Sequence, residues 1–97
     1  MADEDPVFEI TFRDGAIEPL VTIVPMATRF KLVLKNEGAT PVEFESIELR
    51  KEKVLGPGVT TFIVIRRLDQ GEHLFFDDFH PNARNAKLVA TENADEP

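Results

Sequence analysis

Short apolar runs recur along the whole chain, and turn residues separate them. Val7 to Phe12 alternates, Val21 to Val24 is β-branched, and Arg29 to Lys35 places Phe30, Leu32 and Leu34 on one face. Val59 to Arg66 puts Phe62 and Val64 on one face and Ile63 and Ile65 on the other. Leu74 to Phe76 and Lys87 to Thr91 complete the set. Asp14-Gly15, Glu37-Gly38, Gly56-Pro57-Gly58, Asp69-Gln70-Gly71 and Pro81-Asn82 fall between runs, where turn chemistry belongs. No window sustains helical spacing with caps. Residues 47–55 include helix formers, but Ile47 and Leu49 alternate with Glu48 and Arg50, which reads as strand. About seven or eight short strands in one small chain predict an all-β, Greek-key β-sandwich.

Size changes this picture little: 97 residues make one domain, spanning 1–97, with 1–6 and 92–97 expected as flexible tails. Charge changes it more. The formal net charge is −7, which argues against nucleic-acid binding, since that needs clustered Lys and Arg. Much of the acidity sits near the ends, at Asp3, Glu4, Asp5, Glu92, Asp95 and Glu96. The absence of Cys removes disulfides, thiolate metal sites and thiol nucleophiles. Ser46 is the only serine, and no Gly-rich phosphate loop is present. No apolar run approaches the ~18 residues of a membrane span, and no signal-peptide pattern opens the sequence.

Candidate chemistry gathers at the end of one strand. In Gly71-Glu72-His73-Leu74-Phe75-Phe76-Asp77-Asp78-Phe79-His80-Pro81, an inward Phe75 makes His73 and Asp77 inward too. Asp77 then lies at the rim of the sandwich, with His80 on a loop able to fold back over it and Asp78 of opposite parity. Another strand runs from Pro41 to Leu49. With Ile47 and Leu49 in the core, parity turns Glu45 and Glu43 inward, which is costly unless they are paired or bind a cation. The alternative is outward glutamates, with a change of parity at a bulge near Ser46. If the strands are neighbours, Glu45, Asp77 and His80 converge. Two carboxylates and an imidazole suit hard or borderline ions: iron, manganese, copper(II) or zinc. Asp77 has a second reading as a cap for loop N–H groups, and His73 reads as a structural residue bonding backbone.

The chain resembles the cupredoxin-like domains over nearly its whole length. Val24-Pro25 followed by Phe30 to Gly38 resembles that family's strand and turn, and Gly71 to Asp77 its ligand-bearing strand. The resemblance puts Asp77 where the copper-ligating Cys would be, His80 at the following His ligand and Glu45 at the first His ligand. Without a thiolate, and with no Met between His80 and Lys87, a blue-copper centre is ruled out. Glu43-Phe44-Glu45-Ser46, Leu49 to Val54, Pro57-Gly58 and Asp78-Phe79-His80-Pro81 are similar to the cupredoxin-like components of bacterial high-affinity iron uptake. That resemblance implies a periplasmic protein binding iron or copper and supporting ferrous iron import. An iron permease and a second periplasmic metal-binding protein would be its partners.

The expected metal ligands are therefore Glu45, Asp77 and His80, with Glu43 and Asp78 as auxiliaries. Whether the protein oxidises Fe(II) or only passes it on is left open. The competing expectation is a metal-free interaction module docking on a permease or periplasmic partner. In that case Arg50, Lys51, Lys53, Arg66 and Arg67 would meet an acidic surface.

Overall fold

The computed structural model describes residues 5–92 and contains nine strands. They are β1 (Val7–Arg13), β2 (Ala16–Glu18), β3 (Val21–Pro25), β4 (Phe30–Asn36), β5 (Val42–Ser46), β6 (Lys51–Leu55), β7 (Thr60–Ile65), β8 (Gly71–Asp77) and β9 (Ala86–Thr91). Four form one sheet in the order β2-β1-β4-β7, and five form the other in the order β3-β9-β8-β5-β6. Two pairings are parallel, β1 with β4 and β3 with β9; the rest are antiparallel. The all-β sandwich is as the periodicity predicts. The added element is β2, whose three residues contain one buried apolar side chain, Ile17.

The core follows from alternation. Ile10 and Phe12 of β1, Phe30, Leu32 and Leu34 of β4, and Phe75 of β8 are all buried, as are Leu88 and Ala90 of β9. Phe44 stacks on Phe75 with ring centroids 5.0 Å apart, joining β5 to β8 beneath the surface. Each such ring is worth about 3–5 kcal/mol against truncation to Ala. Buried Asn36 ends β4. Its amide donates to the carbonyls of Thr40 (2.9 Å) and Leu55 (3.1 Å), and its Oδ1 accepts from Gly38 N–H. These bonds fix the loop between β4 and β5.

One expectation needs correction. The strand placed over 41–49 ends at Ser46, and residues 47–50 form a turn before β6. Ser46 Oγ accepts from Leu49 N–H at 3.3 Å, Arg50 N–H donates to the Ile47 carbonyl at 3.2 Å, and Arg50 has φ of 56°. Inward parity in β5 therefore belongs to Val42, Phe44 and Ser46, while Ile47 is 72% exposed and Leu49 only packs against the core margin. Of the tail expected over 1–6, the structure describes Asp5 and Pro6. The Pro6 carbonyl accepts from Lys31 N–H, and Asp5 pairs with Arg29 at 3.0 Å. Residues 1–4 and 93–97, the remainder of the expected tails apart from Glu92, lie outside the described residues.

Candidate metal centre

The five candidate ligands separate into two groups on opposite faces of the five-stranded sheet. Phe44 of β5 lies opposite Asp77 of β8, and Glu45 opposite Phe76. Phe44 and Asp77 both point inward, so Glu45 points out. The convergence of Glu45 with Asp77 and His80 does not occur, because β5 has the parity of Phe44 rather than that of Ile47.

The inner group is Asp77 and His80. Parity places His73, Phe75 and Asp77 inward, as expected, and all three are buried. Asp77 Oδ1 accepts from the N–H groups of Glu43 and Phe79, both at 3.0 Å, while Oδ2 is 2.6 Å from His80 Nδ1. His80 Nε2 faces the Thr40 hydroxyl at 3.2 Å, and that hydroxyl donates to Asp14 Oδ1 at 3.0 Å. Asp14 Oδ1 also accepts from Ala39 N–H and Thr40 N–H. Those bonds, Ala39's foremost, hold the Asp14 carboxyl below its ordinary range. The capping reading of Asp77 is thus the one its contacts match. Its inward neighbours on β5, Val42 and Phe44, are apolar and supply no further ligand.

The outer group is Glu43, Glu45 and Asp78. One carboxylate oxygen from each lies within 4.8 Å of the others. β5 presents the two glutamates on one face, and the turn after Asp77 delivers Asp78, whose N–H donates to the Glu43 carbonyl at 2.9 Å. Glu52 of β6 stands directly across from Glu45, a like-charge pair that sheets ordinarily avoid. Glu43 is pushed above the usual carboxylate range, first by desolvation, then by a hydrogen bond shared with Glu52 and by the charges of Glu52, Glu45 and Asp78. Glu45 is pushed up by desolvation and by the charges of Asp78 and Glu52. Among the described residues no Lys or Arg pairs with any of these four. First-row metal–oxygen bonds of about 2.0–2.2 Å would draw these oxygens closer together around a shared ion. An all-oxygen set suits hard cations and not Cu(I).

Sequence reasoning missed Glu52. The signal was available in the register of a β5–β6 hairpin, but it required the turn at 47–50.

The arrangement of strands is shared with known proteins. The Cupredoxin-like domain family matches residues 1–90. The chain belongs to that family. Uncharacterized protein RP394 of Rickettsia prowazekii (strain Madrid E) is 30% identical over 84 residues, covering 87% of this chain and 67% of that protein. The metal binding domain of the Cu(I)-exporting P-type ATPase CopA of Streptococcus pneumoniae D39, solved with Cu(I), superimposes with a TM-score of 0.80. It is 12% identical, over 95% of this chain and 91% of that one. The purple cupredoxin of Nitrosopumilus maritimus gives 0.64 at 16% identity, over 86% and 98% of the respective chains. At those identities the likeness is one of fold. This cupredoxin-like domain has no Cys, and the carboxylates of Glu43, Glu45 and Asp78 are grouped closely enough to hold a cation.

Proposed function

We propose that this cupredoxin-like domain binds iron as cargo at Glu43, Glu45 and Asp78, supporting ferrous iron import in the periplasm beside an iron permease and a second metal-binding protein. The observation that carries the reading is the cluster itself: three carboxylates with oxygens within 4.8 Å of one another, and no basic partner among the described residues. A cation relieves the repulsion that raises the proton affinity of Glu43 and Glu45. Carboxylates favour the harder Fe(III) over Fe(II), so the same site lowers the potential of bound iron. Asp77 and His80 hold the turn that carries Asp78 and spend their polar atoms on protein hydrogen bonds.

Anaerobic calorimetric titration with Fe(II), in parallel with Mn(II) and Cu(II), tests this reading. We expect one ion per chain and its loss in Glu45→Gln. Preference for Cu(II) with retention in Glu45→Gln would move the site to His80. Absence of binding by any ion would end the metal reading. Oxygen-dependent loss of Fe(II) above background would make the domain an oxidase rather than a carrier.

A further inference from the structure

The outer face of the five-stranded sheet is apolar beside its carboxylates. Val21 and Ile23 of β3 are each 46% exposed, Leu74 of β8 is 52% exposed, and Ile47 is 72% exposed. Ile23 is paired with Val89, Leu74 with Lys87, and Phe76 with Glu45, so these side chains line one surface. A cleft of about 240 Å³ opens there among Ile47, Glu48, Leu74, Phe76 and Asn85. That is below the ~300–1,000 Å³ of small-molecule pockets and suits a single inserted side chain. Glu45 borders the cleft through Phe76, and Glu43, Glu52 and Asp78 extend the acidic edge.

We infer that this face docks a segment of a partner protein in which an apolar anchor residue is flanked by Lys or Arg. The anchor fills the cleft at Leu74 and Phe76, and the flanking cations supply the charge that Glu43, Glu45 and Glu52 lack within the chain. Charge complementarity selects this occupant. A second copy joined with its two-fold axis at the acidic edge would set carboxylates against carboxylates. An anionic lipid surface would be repelled in the same way. Apolar anchors in a cleft with a charged rim are the common anatomy of energetic hot spots.

The test uses the full chain in EDTA, so that its outcome is separate from metal loading. The probe is a short peptide of alternating lysine and leucine, followed through backbone amide shifts. Saturable shifts confined to residues 21–23, 43–48, 52, 72–78 and 85 are expected. Leu74→Glu, at an exposed position that leaves folding intact, should weaken binding about tenfold or more. Combined Glu43→Gln, Glu45→Gln and Glu52→Gln should weaken it and flatten its salt dependence. The inference is overturned by absence of saturation, by shifts on the four-stranded sheet, or by equal binding of a peptide with glutamate in place of lysine. Unchanged affinity in Leu74→Glu overturns it too, as does a dimer that Leu74→Glu dissolves. Failure here would leave the calorimetric test of the metal site untouched.

Discussion

On the outer face of the four-stranded sheet, Lys35 meets Glu9 at 3.2 Å and Lys31 lies 4.6 Å above the ring of Phe62. At its margin Arg13 reaches both Glu37 (2.6 Å) and Glu18 (3.5 Å). On the outer face of the five-stranded sheet, the ion pair of Lys87 with Glu72 stands beside Glu43, Glu45, Glu52 and Asp78, which have no basic partner among the described residues. The first face pairs these charges within the chain, although Val7 and Phe62 remain about half exposed there. The second leaves anions without basic partners among the described residues beside exposed apolar side chains. Both proposed sites lie on this five-stranded sheet, on the face opposite the buried Asp77–His80 pair.

The largest effect should come from removing what holds the second face in shape. Asp77→Ala strips two N–H groups and a ring nitrogen of their acceptor, and is expected to cost about 2–4 kcal/mol in urea unfolding. It should also abolish ion binding at Asp78. Asp77→Asn, which keeps Oδ1 as an acceptor, should recover part of the stability.

Next in size is the effect of pH. His73 Nδ1 is 2.5 Å from Glu48 Oε2, and Nε2 is 2.8 Å from the Asp69 carbonyl. Two oxygen partners favour the imidazolium form, in which both nitrogens donate. Burial opposes that charge, but the Asp69 carbonyl bond and the Glu48 carboxylate outweigh it and raise His73 above 6.5. The folded state then holds the proton more tightly than the unfolded chain. This stabilisation is complete below pH 6.5 and lost as pH rises through the raised folded value. His73→Leu should erase that slope in a series of urea melts. Glu43 and Glu45 add a second slope of the same sign at lower pH. With folded values above 4.5, stability falls as pH rises through the window just above that figure. Asp14 acts oppositely: its contribution is present above pH 3.8 and lost as pH falls through its depressed folded value.

A smaller change would make the two faces alike. Glu45→Lys sets opposite charges across from Glu52 and should raise the urea midpoint slightly while eliminating ion binding. Smallest of all, Lys31→Ala on the four-stranded sheet should cost about 0.5–1 kcal/mol. It should leave metal and peptide titrations unchanged.

The sandwich was readable because strong alternation in β1, β4 and β8 left one choice of inward face. Phe75 alone settled the orientation of His73 and Asp77. β5 differs from the expectation because Ile47 and Leu49 are apolar and share the parity of Glu43 and Glu45, while Ser46, of inward parity, is polar. The inward residue at the end of that strand is a serine, chosen for the turn its hydroxyl caps and not for burial. One shifted residue turned both glutamates to the wrong face, which is how a period of two behaves. Asp77 and His80 were rightly placed together, yet their neighbours depended on that same register. The outer cluster needed Glu52, which no local pattern brings to Glu45.

The parallel pairing of β3 with β9 joins Val21–Pro25 to Lys87–Thr91, so the strand second in spatial order is the last to leave the ribosome. Until then β3 and β8 have exposed edges and no shared neighbour, and Leu88 and Ala90 have not yet entered the core. The sheet therefore stays unfinished until β9 has been made, and a chain stopped before Ala86 is a client for chaperones or proteases.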